Sequence, residues 1–374
     1  MKIALVHDYL AQDGGAERVL KAFHEIWPDA PIFVLFHKKG SVAGLDHAEV
    51  RQSFMARVPG VKRYFRWLLP LMPTATERQN LDEFDVVLSS TSAFAKGVLT
   101  RPDAVHISYC HTPTRYLWSD THKYISSNTH NFFVRAVLRR IIHKMRLWDK
   151  MSVDRVDYFI ANSNTVRQRI EKYYRRDSDV LYPPADVHLG TVSKDVGDYF
   201  ISGGRLVAYK RFDLLISVFN RLGWPLYIFG NGPEKENLQR MAKSNIHFLG
   251  RVSDEEKASL LSKARGFLHP QLEDSGITPV EAMASGCPVI AYGFGGVTET
   301  VISGETGLFF YEQTWEALLD TLLTFDACTW DRDAICAHAQ KFGVDVFKQK
   351  IKKYVGDRYD EFQRGLKQCR LDIR

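Results

Sequence analysis

The residues from Gly266 to Glu281 combine a strand, a loop and a helix start: Gly-Phe-Leu-His-Pro-Gln-Leu-Glu-Asp-Ser-Gly-Ile-Thr-Pro-Val-Glu. The apolar run at the beginning predicts a short buried strand. Thr278 and Pro279 predict a helix start, with the threonine as cap and the proline at the first helical position. Glu281 follows the cap by three residues and completes a capping-box pattern. We therefore expect Glu273 in a strand-to-helix loop and Glu281 in the first helical turn.

Glycines accompany this stretch and continue beyond it. Glycine lets a ligand approach the backbone closely, and amide groups near a helix start are free to bind an anion. The pattern indicates a nucleotide-sugar site. The glycines are Gly276, Gly286, Gly293, Gly295 and Gly296.

The composition is that of a folded protein with room for about two domains. The chain has 374 residues, of which 45% are hydrophobic and 25% charged. The net charge of +6 is modest, and we expect no nucleic-acid partner. Five cysteines form no Cys-x-x-Cys pair, which favours reduced thiols in a cytoplasm over disulfides or a zinc site. Neither a secretion signal nor a run of roughly 18 apolar residues is present, so we expect neither secretion nor membrane spanning.

Strand and helix patterns alternate through both halves of the chain. In the first half, a strand at 2–7 precedes Gly14-Gly15 and a helix, and further strands are predicted at 32–36, 85–89, 105–110 and 158–161. The glycine turn lacks G-x-G-x-x-G, which argues against a nicotinamide or flavin fingerprint. The pattern restarts at 199–205, with strands at 226–229, 246–248, 266–269, 288–291 and 307–310. We predict two α/β domains with parallel sheets, 1–182 and 183–345, and a helical tail, 346–374.

Several motifs occur together and in order. They are Gly14-Gly15-Ala-Glu17, Gly204-Arg205-Leu with Lys210, Gly230-Asn-Gly232-Pro, and Glu273-x7-Glu281 followed by Ala-x-Ala-Ser-Gly286-x-Pro-Val. In this combination the chain resembles the retaining glycosyltransferases of family four. The segment Tyr109-Cys-His111-Thr-Pro-Thr-Arg-Tyr-Leu-Trp118 is locally similar to the bacterial branch of polysaccharide and O-antigen mannosyltransferases.

The resemblance implies a GT-B fold, in which two Rossmann-like domains with parallel sheets face each other and the last helix crosses back to the first domain. Residues 1–182 would then form an acceptor and membrane-facing domain, residues 183–345 a nucleotide-sugar domain, and residues 346–374 a tail packed on the first domain.

The resemblance also implies residue roles. Arg205 and Lys210 would neutralise the donor diphosphate. Glu273 would bind donor-sugar hydroxyls, and Glu281 the ribose. The catalytic candidates are His111, Glu273, Arg205 and Lys210; the donor-binding candidates are Gly14, Gly15, Arg205, Lys210, Gly230, Gly232, Glu273, Ser275, Gly276, Ile277 and Glu281. Ser275 departs from the family, where this position is often aromatic.

Each candidate also has a structural interpretation. Glu281 by itself fits the capping box equally well, Glu273 fits a solvated loop, and Arg205 and Lys210 fit a surface. Their positions after predicted strands at the carboxyl edge of a parallel sheet favour ligand binding. A lone histidine such as His111 is more often structural, and only the resemblance favours catalysis. A structural role is favoured for His7, Asp8 and His269, and both roles stay open for Asn162 and Ser163.

The expected reaction is the metal-independent, retaining transfer of a hexose. The donor expected from the resemblance is GDP-mannose, with a UDP-hexose as alternative, and the acceptor is a saccharide linked to polyprenyl diphosphate in bacterial surface polysaccharide synthesis. No cofactor is expected. Two other hypotheses are a non-hydrolysing nucleotide-sugar epimerase and a non-catalytic basic protein that binds polyanions.

Two basic segments without acidic residues predict contact with an anionic membrane surface. In the first, 132–148, apolar residues at helical spacing (Val134, Val137, Leu138, Ile141, Met145, Trp148) lie opposite Arg135, Arg139, His143 and Arg146. The second, 57–73, adds cations and aromatic residues. We expect peripheral binding to the inner face of the plasma membrane.

Overall fold

The computed structural model describes residues 1–60, 65–128 and 132–372. The chain divides into two compact units. The N-terminal unit comprises Met1–Tyr182 and Phe347–Arg374, and the C-terminal unit comprises Pro183–Val346.

A parallel sheet lies at the centre of the N-terminal unit. Its strands pair in the order β3-β2-β1-β4-β5-β6-β7. They are β1 (Ile3–His7), β2 (Ile32–Val34), β3 (Val50–Gln52), β4 (Val86–Thr91), β5 (Val105–Cys110), β6 (Tyr158–Ala161) and β7 (Asp179–Val180). The central strands β1, β4 and β5 are buried along their whole length, as expected for parallel strands covered on both faces. The edge strands β3 and β7 are missing from the predicted strands, because they are short, partly exposed and without an apolar run.

Helices follow most strands of this unit. They are α1 (Gly15–Ile26), α2 (Met72–Glu77), α3 (Thr121–Asn128), α4 (Phe132–Ser152) and α5 (Asn164–Arg169), with 3-10 turns at Phe54–Arg57, Phe65–Leu71, Ala95–Gly97 and Val153–Arg155 and a π-helical turn at Ile170–Tyr174. In α1 the apolar residues recur at helical spacing, so that Val19, Leu20 and Phe23 are fully buried against the sheet.

The C-terminal unit has its own parallel sheet, in the order β10-β9-β8-β11-β12-β13. The strands are β8 (Phe200–Gly203), β9 (Leu226–Phe229), β10 (Ile246–Gly250), β11 (Gly266–His269), β12 (Val289–Tyr292) and β13 (Gly307–Phe310). The helices are α6 (Phe212–Leu222), α7 (Lys235–Met241), α8 (Asp254–Lys263), α9 (Ile277–Ala284), α10 (Trp315–Asp326) and α11 (Arg332–Ala339), with 3-10 turns at Val187–Leu189, Ala208–Lys210, Gly296–Glu299 and Gln340–Phe342.

The last helix, α12 (Val344–Asp372), leaves the C-terminal unit and packs on the N-terminal unit. Phe347, Ile351 and Val355 recur every four residues and are buried in the core around β1 and β5. The Phe347 ring stacks on Phe23 at 6.0 Å and meets the edge of Tyr109 at 5.9 Å. The apolar face of α12 is therefore part of the N-terminal core.

The strand order reverses once in each sheet, at a position that we call the switch point. The reversal falls between β1 and β4 in the N-terminal unit and between β8 and β11 in the C-terminal unit. In open α/β sheets, ligands bind outside the carboxyl ends of the strands at this point. The loops after these four strands are consequently where site residues are expected.

Candidate functional site

In the C-terminal unit, the loops after β8 and β11 bring Lys210 and Glu273 into contact. Lys210 Nζ lies 2.9 Å from Glu273 Oε1, and both side chains are largely buried, at 12% and 22% exposure. Burial opposes ionisation of Glu273, but the charge of Lys210, aided by His269, outweighs it and lowers the pKa of the Glu273 carboxyl. The switch point thus holds an ionised carboxylate beside a cation.

Arg205 stands in the same loop as Lys210 but differs from it. Its side chain is exposed, and across the described ranges it has no ion-pair or hydrogen-bond partner. Lys210 closes the 3-10 turn Ala208–Lys210 that precedes α6. The loop therefore offers one cation held by a carboxylate and one that is available to an anionic ligand.

Gly230 and Gly232 support this loop from the neighbouring strand end. A Cβ at Gly230 would collide with the Gly204 carbonyl, and one at Gly232 with the Leu206 carbonyl. Leu206 N donates to the Asn231 carbonyl at 2.9 Å. Close backbone packing explains both glycines, and they shape the loop that carries Arg205.

The loop after β11 packs in the same way on Gly295 and Gly296. Gly296 N donates to the Glu273 carbonyl at 2.9 Å, and a Cβ at either glycine would collide with the backbone of Glu273 or Asp274. The glycines thus fix the position of Glu273.

The predicted capping box is wrong. Helix α9 begins at Ile277 and its N-cap is Gly276, which has φ 68°, while Thr278 lies inside the first turn. A glycine takes up this left-handed conformation without steric penalty, so the chain turns into the helix two residues earlier than predicted. Ser275, Gly276 and Ile277 together form the strand-to-helix turn.

Glu281 is held by a lysine of the preceding helix. Its Oε2 lies 3.2 Å from Lys257 Nζ, which also contacts Asp254 at 2.8 Å. Glu281 is only 5% exposed, so the ion pair is mostly shielded from water. Lys257 was not among the predicted residues, since nothing in the acidic sequence of α8 distinguishes it.

Three buried polar atoms beside Glu273 have no hydrogen-bond partner among the described residues. They are both ring nitrogens of His269 and Oε1 of Gln271. His269 Nε2 lies 3.8 Å from Glu273 Oε2, and burial lowers the pKa of His269 to about 4. Unsatisfied polar atoms are rare in protein interiors, so their concentration beside a carboxylate is typical of a ligand site.

In the N-terminal unit, the strand ends at the switch point connect His111 to two buried residues. Ser90 Oγ lies 2.8 Å from His111 Nε2 and 3.1 Å from His7 Nδ1. Burial, followed by the nearby His7, lowers the pKa of His111 to about 3, so the ring is neutral at physiological pH. Gly14 is the N-cap of α1 and Gly15 its first residue, and the start of a helix is a favourable position for an anion.

Other candidates in this unit are structural. Asp8 accepts hydrogen bonds at 2.7–3.0 Å from the backbone amides of Ser92, Ala93, Phe94 and Ala95 and thereby caps the 3-10 turn after β4. Ser163 is the N-cap of α5 and accepts from Val166 N at 3.1 Å. Both fit the structural interpretation.

The segment from Tyr109 to Trp118 is tied to helix α4. Thr114 Oγ1 and Trp118 Nε1 donate to the Asp149 carboxylate at 3.0 and 2.7 Å, and Lys96 completes the buried cluster. Asp149 and Lys96 are each 1% exposed. Much of the motif therefore anchors the loop that carries His111.

Helix α4 differs in part from its predicted two-faced pattern. Ile142 and Met145 are buried, whereas Val137 is 60% exposed and Phe132 and Phe133 are 73% and 78% exposed. Arg146 does not belong to a solvated face, because it donates to the Leu117 carbonyl at 2.6 Å. Of the second segment, Lys62, Arg63 and Tyr64 lie outside the described residues, as do the side chains of Phe65, Arg66 and Trp67.

A groove between α3 and α4 collects several of these cations. Its volume is about 330 Å³. It is lined by Trp118, Thr121, His122, Ile125, Arg139, Ile142 and Arg146. A smaller depression beside it adds Arg135. We call the larger of the two cavities the α3–α4 groove. Among the described helices, none is long and apolar enough to cross a membrane.

Two family models match the chain and together cover most of it. Residues 13–189 match "Glycosyltransferase Family 4" and residues 191–341 match "Glycosyl transferases group 1". The chain belongs to the glycosyltransferases of family four. The two matches meet a few residues after the boundary between Tyr182 and Pro183 that separates the N-terminal from the C-terminal unit.

Curated relatives of this glycosyltransferase act on different sugars. The D-rhamnosyltransferase WbpZ of Pseudomonas aeruginosa is 31% identical over 46% of this chain and 48% of its own length. The O-antigen chain mannosyltransferase RfbU of Salmonella typhimurium is 32% identical over 38% of this chain and 43% of its own length. The chain thus spans less than half of the length of each relative.

A solved structure shows the same fold. Anabaena Alr3699/HepE in complex with UDP and glucose matches with a TM-score of 0.70 at 20% identity, covering 95% of this chain and 99% of that one. The predicted fold class, two Rossmann-like α/β units of GT-B type, is confirmed.

Proposed function

We propose that this glycosyltransferase transfers mannose from GDP-mannose, with retention of configuration, to a saccharide linked to polyprenyl diphosphate. The observation that carries the proposal is the Lys210–Glu273 ion pair at the switch point of the C-terminal unit, with Arg205 beside it. Mannose is supported by the Salmonella relative, and the Pseudomonas relative supports a closely related hexose.

The leaving group of this reaction is a nucleoside diphosphate whose negative charge grows as the glycosidic bond breaks. Arg205 and Lys210 supply two cations that stabilise this charge. This stabilisation requires no divalent ion. In the proposed course the acceptor attacks on the face that the diphosphate leaves, a phosphate oxygen takes the acceptor proton, and Glu273 binds sugar hydroxyls.

The donor assignment is tested by thermal stabilisation and transfer. A ligand that binds only the folded protein stabilises it by about 2.7 kcal/mol at a hundredfold excess over its Kd. We expect GDP-mannose to raise the melting temperature, UDP-glucose not to, and NMR of the product to show the donor's anomeric configuration. Stabilisation by UDP-glucose alone contradicts the GDP-mannose assignment; an inverted product contradicts retention.

The acceptor assignment is supported by the α3–α4 groove and the exposed start of α4. Arg139 and Arg146 line this groove and Arg135 lines the depression beside it, a cluster of cations that suits a diphosphate. Phe132 and Phe133, more than 70% exposed, suit the interfacial region of a bilayer beside it. Peripheral binding to the inner face of the plasma membrane is therefore part of the proposal.

Cosedimentation with vesicles tests the membrane contact. Each basic residue near an anionic surface contributes about 1 kcal/mol, so changing Arg135, Arg139 and Arg140 to glutamine should weaken binding roughly a hundredfold at low salt. The matched control changes the exposed Lys350, Lys352 and Lys353 of α12, which removes the same charge elsewhere. Equal losses of vesicle binding in both triple variants contradict a specific role for α4. Wild-type binding that does not depend on salt concentration or lipid charge contradicts it too.

A further inference from the structure

The hydrogen bonds of His111 continue through Ser90 and His7 towards Glu17. His7 and Ser90 are direct partners in the β1–β4 register, and His111 N donates to the Thr91 carbonyl at 2.9 Å. Glu17 Oε1 lies 3.8 Å from His7 Nε2. We propose that Glu17 and His7, acting through Ser90, fix the tautomer of His111 so that its Nδ1 accepts a hydrogen bond from a sugar hydroxyl.

The Ser90 hydroxyl couples the two histidines because it has one proton. Its oxygen contacts His7 Nδ1 and His111 Nε2 and can donate to only one of them. The other ring must then be the donor. Ser90 has no other side-chain partner in the described ranges, so its proton goes to one facing nitrogen and its oxygen accepts from the other.

Glu17 determines the direction of the hydrogen bonds from His7 through Ser90 to His111. Glu17 and His7 are 5% and 4% exposed, so the carboxylate acts across a medium of low dielectric constant. At 3.8 Å it is too distant for a direct hydrogen bond, but its charge favours a proton on the facing His7 Nε2. His7 Nδ1 then accepts from Ser90, Ser90 accepts from His111 Nε2, and His111 Nδ1 retains its lone pair.

The remaining nitrogen of His111 is available to a ligand. No residue in the described ranges forms a hydrogen bond to His111 Nδ1, and the side chain is only partly buried. The ring also meets the edge of Tyr109 at 5.3 Å, which limits its rotation. An oriented acceptor at the carboxyl edge of the sheet suits a donor group such as a hydroxyl and disfavours another acceptor such as a carbonyl oxygen.

Gly14 belongs to the same arrangement. A Cβ at this position would lie 3.1 Å from Glu17 Oε2. A glycine here leaves room for the carboxylate under the turn that opens α1. The Gly14-Gly15-Ala-Glu17 motif therefore has a second function besides presenting amides: it positions the residue that orients His7.

The inference rests on the proposed function only for the sugar hydroxyl; the tautomer is measured without substrate. The protein is labelled with ¹⁵N in its histidine rings, and long-range ¹H–¹⁵N spectra identify which nitrogen of His111 is protonated. We expect Nε2–H in the wild type. In Ser90→Ala and Glu17→Ala the proton should shift measurably towards Nδ1, which faces solvent or ligand.

Ser89→Ala is the matched control. Ser89 precedes Ser90 on β4, but its hydroxyl bonds the buried His106 at 2.9 Å, so the His111 spectrum should not change. Wild-type His111 protonated at Nδ1, or an unchanged spectrum in either Ser90→Ala or Glu17→Ala, overturns the inference. In transfer assays the two variants should lose about threefold to tenfold in kcat/KM, as expected for one neutral hydrogen bond, and Ser89→Ala should not. Absence of transfer in every protein, with the expected spectra, contradicts the proposed function alone.

Discussion

Lys210 and Arg205 are both assigned to the donor diphosphate, but among the residues that the structure describes only Lys210 is paired with a carboxylate. We predict that Arg205→Gln and Lys210→Met each lower kcat/KM roughly tenfold to a hundredfold, because a hydrogen bond to a charged group contributes about 1.5–3 kcal/mol. The melting temperature should fall only in Lys210→Met, which leaves Glu273 without its partner.

The pH profiles should separate the two variants further. Without Lys210, burial raises the pKa of Glu273, so the carboxyl takes up a proton at a higher pH than in the wild type. Activity of Lys210→Met should therefore decline earlier on acidification, whereas Arg205→Gln keeps the wild-type profile. Identical profiles in both variants contradict the role of the ion pair.

His106 gives a pH dependence of stability. It is fully buried, Ser89 donates to its Nε2 and its Nδ1 donates to the Arg155 carbonyl, so the neutral ring is satisfied. Burial lowers the pKa of His106 to about 4. Below about pH 6.5 the unfolded chain binds a proton at His106, whereas the folded protein binds it only near pH 4. Stability therefore falls as the pH decreases between these two values.

The lowered pKa of His106 reduces the free energy of unfolding by about 3 kcal/mol between neutral pH and pH 4. Urea unfolding at a series of pH values should show a shallower loss in His106→Gln than in the wild type. His122→Gln, at an exposed position on α3, is the control and should keep the wild-type slope. A wild-type slope in His106→Gln contradicts the prediction.

At this scale the sequence predicted the identity of residues better than their partners. Arg205, Lys210 and Glu273 were predicted from motifs, and the structure brings Lys210 and Glu273 within 2.9 Å. Ser90 could have been found, because it lies near the carboxyl end of a strand that pairs with β1, which ends at His7. Lys257 could not, since its contact with Glu281 depends on how α8 and α9 pack.

Helix α9 shows why element boundaries are harder to predict than elements. The helix was predicted, as were β8, β9, β11 and the other central strands, because apolar runs and helical spacing are local signals. Its start was misplaced, because Gly276 and Thr278 both carry cap signals and only the surrounding backbone decides between them. The packing of Gly295 and Gly296 against the preceding loop favours the glycine.

The pair of α8 and α9 leads to a prediction about Glu281. If Glu281 binds the ribose while Lys257 orients it, Glu281→Gln should weaken GDP binding roughly tenfold to a hundredfold, through loss of a charge-assisted hydrogen bond. Lys257→Met should weaken GDP binding and also lower the melting temperature, because it leaves the buried Glu281 carboxylate without this lysine. Calorimetric titration with GDP and thermal unfolding measure the two effects separately.

Asp254→Asn provides the control for this pair. Asp254 is 56% exposed and touches Lys257 from the solvent side, so its loss should change neither quantity by more than an exposed ion pair does, about 0–1 kcal/mol. Unchanged GDP affinity in Glu281→Gln, together with a lower melting temperature, would reduce Glu281 to a structural role.

At the scale of the whole molecule, helix α12 makes the N-terminal unit discontinuous in sequence. The chain passes through the C-terminal unit before Phe347, Ile351 and Val355 complete the first core. The sequence predicted a helical tail at 346–374, but the helical pattern alone does not show which surface the tail covers. The resemblance supplied that assignment, and the packing of Phe347 on Phe23 shows it.

This discontinuity predicts that a substitution near the carboxyl terminus destabilises the amino-terminal half. Ile351 is fully buried, so Ile351→Ala should lower the free energy of unfolding by about 2–5 kcal/mol, a large fraction of the stability of a single domain. Hydrogen exchange should report the loss in β1 and β5, which share its core, and much less in β8 and β11, which belong to the other core. Lys353→Ala, at an exposed position on the same helix, should change neither. Equal loss of protection in both sheets would mean that the two units unfold as one, and the separate cores would then not be separate folding units.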